Sequence, residues 1–307
     1  MRIVRHPRGH RDTALAIGSF DGVHLGHAAL VGRVVEEARR RGLEAAVLTF
    51  EPLPREFLSP ANAPARLTSL GERLALLDAL GLDAAFVEHF DAAFAALAPA
   101  EFERRLRDVY GARWILVGHD FRYGARRAGD STSLAAAGRR LGFEVEVLPP
   151  IDDQGERVSS TRVREALTRA DFATASRLLG RPYAITGRVV HGAKRGRDLG
   201  FPTANVRLGR PKPALGGIFA VKCFGAATRG LEGVASLGIN PAVKVGGPAT
   251  LEAFLFDFSG DLYGRRLTIE FVQKLRDEAH FASLDELAAQ MRRDCERAKA
   301  ILRATER

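Results

Sequence analysis

The hydrophobic positions of this chain follow two patterns that change near residue 180. In the first part, short continuous apolar runs alternate with segments whose apolar residues recur every three or four positions. "TALAIGSF" (13–20) has the length and continuity of a buried strand. Residues 27–41 then set Leu30, Val31, Val34, Val35 and Ala38 on one helical face, and Gly42 supplies the stop. "EAAVLTF" (44–50) returns to the strand pattern. A helix over 69–80 opens with the capping-box pair Ser69 and Glu72 and carries Leu70, Leu74 and Leu77. "DAAFVEHF", "RWILVGHDF" and "FEVEVLPP" are further strands, separated by helices near 100–110 and 131–141. Strands alternating with helices predict βαβ units and a mostly parallel sheet.

After "RLLGRPY" (177–183) the helical spacing disappears. "YAITGRVVHG", "GIFAVKCFG", "LEGVASLG", "TLEAFLFDF" and "RLTIEFVQKLR" are strand-like and punctuated by glycine and proline, which predicts an antiparallel barrel or sandwich. A last helix over 283–304 opens with Ser283 and Glu286 and is expected to bury Leu284, Leu287, Met291, Ala298 and Ile301. Two domains follow: an α/β domain over 1–180 and a β-barrel with a C-terminal helix over 181–307.

Composition narrows this picture a little. The 307 residues suit two domains, and 46% hydrophobic content supplies their cores. No stretch of about 18 residues is free of charge, so no membrane span is expected. "MRIVRHPRGHRD" is basic but is not followed by a signal-peptide apolar region, so the expectation is a cytoplasmic protein. Cys223 and Cys295 have no metal-like spacing and fit a reduced chain without disulfides. The net charge of +9 suits nucleic acid, phosphate-rich small ligands, or solvated helix ends such as Arg39, Arg40 and Arg41. A basic RNA-binding module would explain the charge. The chain lacks an aromatic-rich basic strand for one, and no nucleic-acid partner is expected.

Candidate chemistry concentrates in four stretches. "GSFDGVHLGH" (18–27) lies where a strand gives way to a helix, the usual ligand position in an open α/β sheet. Helix-start N–H groups favour phosphate, and Gly18, Gly22 and Gly26 allow close approach. His24 and His27 can then donate to a triphosphate and stabilise charge on the non-bridging oxygens of an attacked α-phosphate. Taken alone, two histidines three apart also fit a structural or surface pair. In "RVSSTRVREAL" (157–167), Ser159 or Ser160 can cap the following helix, with Thr161 and Arg164 near its first turns. That is a clamp for distal phosphates, or an ordinary N-cap with a solvent-facing arginine.

"GRVVHGAKRGRDLGFPTANV" (187–206) spaces Gly187, Gly192, Gly196 and Gly200 around Lys194, Arg195 and Arg197. Such a loop can wrap phosphates, and a surface turn is the alternative. It is not a P-loop, since no G-x-x-x-x-G-K-[ST] occurs. Thr203 and Asn205 are two apart and share a face in extended chain, offering oxygen donors suited to Mg²⁺ beside nucleotide phosphates. Glu252, among Leu251, Phe254 and Phe256, is the candidate carboxylate to take a proton from an attacking hydroxyl. An outward-facing strand glutamate is the alternative.

"GSFDGVHLGH" with "VSSTRVR" resembles the nucleotidyltransferase superfamily with H-x-G-H and S-S/T-x-x-R motifs, and "VGHDFRYGARRAGD" (117–130) resembles the flavin-binding segment of bacterial FAD synthetases. The lysine-rich second motif of class I aminoacyl-tRNA synthetases is missing. "GRPYAITGRVVHGAKRGRDLGFPTAN", "SLGINP", "LEAFLFDF", "DLYG" and "LRDEAHFASLDELAAQM" resemble riboflavin kinase. With both halves in this order, residues 13–304 resemble the bifunctional prokaryotic riboflavin kinase/FMN adenylyltransferase family.

The resemblance implies a Rossmann-like nucleotidyltransferase domain followed by a riboflavin kinase barrel with a C-terminal helix. It implies phosphorylation of riboflavin to FMN with ATP and Mg²⁺, then adenylylation of FMN with ATP to FAD and pyrophosphate. By motif match, Gly18, Phe20, His24, Gly26, His27, Ser160, Thr161 and Arg164 would hold ATP for adenylyl transfer. Asp120, Phe121 and Arg122 would lie by the flavin or nucleotide. In the kinase, Gly187, Gly192, Gly196, Thr203 and Asn205 would hold ATP, with Thr203 and Asn205 also on the metal. Glu252 would be the general base, and Arg276 would lie on the flavin side. The implied partners are the small molecules ATP, riboflavin and FMN, with no membrane and at most weak self-association. The chain departs from the family at Phe254, where many members are polar or histidine, at Ser236, where Asn is common, and in its short 240–250 loop.

Overall fold

The computed structural model describes residues 1–305 except 8, 11, 193–199, 229 and 240–248, and the backbone alone of 239. By packing, the chain forms two units, one of Met1–Pro64 and Arg73–Ser159, the other of Ala65–Glu72 and Ser160–Arg307.

The first unit is built on β1 (Arg2–Val4), β2 (Thr13–Ile17), α1 (Leu25–Arg41), β3 (Glu44–Glu51) and α2 (Pro54–Leu58). Part of α3 (Leu70–Asp78) follows, then β4 (Ala84–His89), α4 (Ala92–Ala95), α5 (Pro99–Asp108) and β5 (Ala112–Gly118). The short hairpin β6 (Arg122–Tyr123) and β7 (Gly129–Asp130) leads to α6 (Ser131–Leu141) and β8 (Glu144–Leu148). A second hairpin, β9 (Asp152–Asp153) and β10 (Glu156–Arg157), completes the unit. Six of these strands form a parallel sheet ordered β1-β4-β3-β2-β5-β8. Every residue of β2 is buried, which is why its sequence is apolar after Thr13, whose Oγ1 donates to the Tyr110 carbonyl at 2.9 Å. From β2 the chain runs outward through β3 to β4 and returns on the other side to β5. The C-terminal end of β2 is therefore a topological switch point, where doubly wound sheets open a crevice.

Three details differ from the periodicity. β1 is an edge strand in the basic N-terminal segment, paired with β4, with Ile3 half exposed and too short to leave a pattern. The strand at 13–20 ends at Ile17, because Phe20 turns to φ 50° and leaves the sheet. α1 starts at Leu25, two residues before the expected start at 27, and buries Glu37 while Val35 is only half-buried. Glu37 is matched by Arg33, Arg40 and Arg41, and Arg41 reaches Glu144 of β8. Arg39 pairs with Asp83. The arginine run at the end of α1 is thus spent on ion pairs within the unit.

The second unit opens with Ala65–Glu72 and the helices α7 (Ser160–Thr168) and α8 (Phe172–Leu179). The capping box at Ser69 and Glu72 forms in both directions. β11 (Ala184–Val190), β12 (Thr203–Val206), β13 (Gly217–Phe224), β14 (Leu231–Ile239), β15 (Ala249–Leu255) and β16 (Arg266–Arg276) close an antiparallel barrel in the order β11-β12-β15-β14-β13-β16. Of the barrel and sandwich alternatives, the barrel forms. Alternation sends Leu251, Ala253 and Leu255 inward with Ala204, Val206, Ala235 and Leu237, leaving Thr203, Asn205, Ser236, Glu252 and Phe254 on the outer face.

The C-terminal helix α9 (Leu284–Thr305) packs on that outer face through Cys295, Ala298 and Leu302, against Ile218, Ala220 and Leu275. The expected stripe is corrected at its end, where Leu302 is buried and Ile301 only half-buried, and at its start. Leu284 is 67% exposed and Leu287 and Met291 are half-buried, because the first turns of α9 stand off the barrel over a cavity. Cys223 and Cys295 are buried free thiols. Among the described residues, no helix is long and apolar enough to cross a membrane.

Candidate active sites

The first site grows from the end of β2. The Gly18 N–H continues the ladder to Leu48, and the chain then turns through Phe20, Gly22 and Val23, all at positive φ. Such backbone is costly for Phe and Val and persists where the surroundings over-determine it, commonly at ligand sites. The Val23 N–H donates to the Phe20 carbonyl, closing the turn. His24 is the N-cap of α1, its Nδ1 accepting from the His27 N–H at 3.3 Å. With Nδ1 an acceptor, the neutral ring carries its proton on Nε2, which is then a donor. The rings of His24 and His27 stack at 3.7 Å, and Phe20 leans on His27 at 5.3 Å. A Cβ at Gly26 would lie 3.2 Å from the His24 ring, and one at Gly18 3.3 Å from the Phe20 ring. Both glycines therefore make room for the site's own side chains.

Sequence reasoning missed the support beneath this loop. Arg73 is fully buried and donates to the Ser19 and Phe50 carbonyls and to the Glu51 carboxylate, at 2.8, 3.0 and 2.9 Å. It joins the turn after β2 to the end of β3. A lone arginine in an amphipathic helix carries no signal of that role.

Asp120, Phe121 and Arg122 follow β5, whose C-terminal end neighbours that of β2. They divide among partners. Exposed Asp120 pairs with Arg157 at 2.9 Å, half-buried Phe121 stacks on Tyr123 at 5.7 Å, and Arg122 pairs with Asp130. Burial opposes the charge on Asp120, yet the Arg157 hydrogen bond and charge hold its carboxyl below the usual range. Ser160, Thr161 and Arg164 belong to the second unit. Ser160 begins α7, which leaves Ser159 in the flanking position; Thr161 is exposed, and Arg164 Nε donates to the Ala65 carbonyl at 2.5 Å.

The second site lies on the outer wall of the barrel. β12 pairs with β15 so that Asn205 faces Glu252 and Thr203 faces Phe254, and β14 sets Ser236 opposite Glu252. Thr203 Oγ1 donates to Glu252 Oε2 at 3.2 Å. A cavity of about 710 Å³ opens beside this pair, between the barrel wall and the first turns of α9. Phe201 and Phe254, edge to face at 5.3 Å, form part of its apolar lining, and Arg276 also lines it. Glu252 thus has the outward orientation of a surface strand residue, but a cavity and not open solvent faces it.

Of the glycines singled out in the sequence, Gly192 stands against the Asn205 amide, where a Cβ would come within 2.3 Å. Gly187 is buried in β11, where it lets the Arg207 carbonyl, just past the end of β12, approach. Gly196, Lys194, Arg195, Arg197 and most of the 240–250 loop lie outside the described residues. The cavity also gathers residues that sequence reasoning passed over: Glu278, His280 and Phe281 from the segment after β16, and Asp294 of α9. Asp294 did carry a signal. It sits on the apolar stripe between Met291 and Ala298, where a carboxylate is out of place.

Comparison with known proteins bears on both sites. Residues 6–162 match the family described as FAD synthetase, and residues 179–302 match riboflavin kinase. A Pseudomonas fluorescens bifunctional riboflavin kinase/FMN adenylyltransferase is 45% identical over 293 residues, covering 95% of this chain and 94% of its own. The protein of the same description from Escherichia coli K12 is 45% identical over 281 residues, 91% and 90% of the two chains. A solved Streptococcus pneumoniae chain described as a macrolide-efflux protein superposes with a TM-score of 0.76 at 30% identity, covering 95% of this chain and 96% of that one.

Proposed function

Because the chain belongs to the bifunctional riboflavin kinase/FMN adenylyltransferase family, we propose that its two activities divide between the two sites just described. The protein phosphorylates riboflavin to FMN with ATP and adenylylates FMN with a second ATP, giving FAD and pyrophosphate. Phosphoryl transfer is assigned to residues 181–307 and adenylyl transfer to residues 1–180.

In the kinase, Glu252 takes the proton of the riboflavin 5′-hydroxyl as that oxygen attacks the γ-phosphorus, and ADP leaves. Thr203 Oγ1 holds the carboxylate in place, and the cavity beside it takes the flavin ring. The side-chain oxygens of Thr203 and Asn205, with the bare face of Gly192 against Asn205, fit a hard cation bound with nucleotide phosphates. Mg²⁺ there would neutralise phosphate charge. At the other site an FMN phosphate oxygen attacks the α-phosphorus of ATP and pyrophosphate leaves. FMN brings its own nucleophile, so the chain needs donors and no strong base. The Nε2 proton of His24 and the His27 ring, fixed by the α1 cap, supply donors for the developing charge. Gly18, Phe20 and Gly26 frame the ATP at the end of β2, and Asp120, Phe121 and Arg122 lie on the flavin side. The protein works in the cytoplasm on small molecules, with no nucleic-acid partner and at most weak self-association.

The observation that carries this reading is the Thr203–Glu252 pair on the cavity wall. Glu252→Gln should lower FMN formation by about 10³-fold while supplied FMN is still converted to FAD. Separating flavins by chromatography after incubation with riboflavin, ATP and Mg²⁺ reads both steps. An equal fall of both activities in a folded variant would overturn the division.

A further inference from the structure

Among the described residues, few contacts hold the cavity roof. Residues 278–280 and 282–284 are all exposed, and they line the cavity as one continuous segment with Phe281. Arg276, the last residue of β16, ties the segment down. Its Nη1 donates to the Asp277 carbonyl at 2.9 Å, and its guanidinium lies 5.6 Å from the centre of the Phe281 ring. The guanidinium is fixed in turn by Asp294. Nε and Nη2 grip both carboxylate oxygens at 2.8–3.1 Å, and Asp294 is only 5% exposed. Gln290 Nε2 adds a hydrogen bond to the same carboxylate at 2.9 Å. This forked geometry is one that lysine cannot reproduce.

We propose that Asp294 is a positioning residue for the kinase reaction: acting through Arg276, it holds the 277–284 segment over the cavity and thereby sets the affinity for the flavin. This rests on the cavity being the riboflavin site. Asp294 is not needed to dock α9. The seam of Cys295, Ala298 and Leu302 does that, with Arg297 Nη1 donating to the Leu275 carbonyl at 2.7 Å. Among the described residues, the other ties on the segment are slight: an exposed Lys274–Asp277 pair, Ser236 Oγ donating to Glu278 at 3.5 Å, the Ala282 N–H on Glu286, and the Ser283 Oγ accepting from the Glu286 N–H at 3.2 Å. Breaking the fork therefore loosens the roof and leaves the barrel and helix assembled.

The test is the full-length Asp294→Asn variant, with steady-state FMN formation against riboflavin and quenching of riboflavin fluorescence on binding. The riboflavin KM and Kd should rise about tenfold, about 1.4 kcal/mol, with kcat within about twofold. FAD formation from supplied FMN should not change, and Asp294→Glu should recover part of the affinity. Arg276→Lys, which keeps the charge and loses the fork, should show the same KM shift and tests the idea even if Asp294→Asn does not fold. Unchanged riboflavin affinity in a folded variant, or a fall in kcat alone, would overturn the role of Asp294. Full FMN formation by Glu252→Gln would instead overturn the site assignment on which it rests.

Discussion

The stretch proposed to carry adenylyl transfer, residues 18–27, is continuous in the chain, whereas the cavity proposed for the kinase gathers Thr203, Glu252, Arg276 and Asp294 from three strands and a helix. The first is fixed by local backbone: positive φ at Phe20, Gly22 and Val23, then a helix cap made by an imidazole. The second is fixed by register. Thr203 meets Glu252 only because β12 and β15 pair as they do, and a slip of one residue would turn Glu252 into the barrel. A site of the first kind is damaged by changing a side chain or a φ angle within it. A site of the second kind can also be damaged from a distance, through whatever holds its strands and roof in place.

The sharpest break on the first side is His27→Ala. Removal of one preorganised donor from a developing phosphate charge should lower FAD formation by roughly 10²–10³-fold. His27 sits inside α1 and is not its cap, so the helix keeps its start. FMN formation should be untouched. A variant that lost both activities together would mean that the 18–27 stretch supports the whole molecule and not one site. On the second side, Gly192→Ala puts a Cβ where the Asn205 amide lies. Asn205 must then leave its rotamer, and the KM for ATP in the kinase step should rise by about tenfold, or 1.4 kcal/mol. FAD formation from supplied FMN at saturating ATP is the internal control. An unaltered KM would separate Asn205 from nucleotide binding.

The same contrast decides how much the order of amino acids reveals by itself. The contiguous site is legible there, because glycine spacing, a strand–helix junction and paired histidines all fall in one window. Even so, the cap is not. A helix over 27–41 leaves His24 outside, whereas His24 caps a helix that starts at Leu25. The barrel strands are legible from their alternation, and Thr203, Asn205 and Glu252 from their polarity within it. What covers them is not legible. The spacing in α9 predicts burial from Leu284 onward, but its first turns stand over the cavity, and amphipathic spacing cannot tell a face packed on a barrel from one packed on a cavity. Arg73 escapes notice for a related reason, and the out-of-place carboxylate of Asp294 signals only that it needs a partner: tertiary structure alone brings the Ser19 carbonyl to the one and the Arg276 guanidinium to the other.

The smallest effect tests whether the contrast extends to the scaffold. The helix carrying His24 and His27 is secured at its far end by charge, around the buried carboxylate of Glu37, whereas α9 is secured at its far end by an apolar seam. Hydrogen bonds from Arg40 and Arg41, with Arg33 adding its charge, hold the Glu37 carboxyl down to about 2 against the cost of burial. A carboxyl whose folded pKa is depressed stabilises the fold above its unfolded value near 4.5, and that contribution is lost as pH falls towards 2. Glu37→Gln should therefore lower Tm by a few degrees at pH 7, and the gap from the unaltered protein should close between about pH 4.5 and pH 2. On heating at pH 7 the variant should lose FAD formation before FMN formation, since the ions it disturbs belong to the first unit alone. A Tm gap independent of pH would mean that Glu37 contributes through its shape and not its charge. Simultaneous loss of both activities would mean that the charged end of α1 supports more than the site at its start.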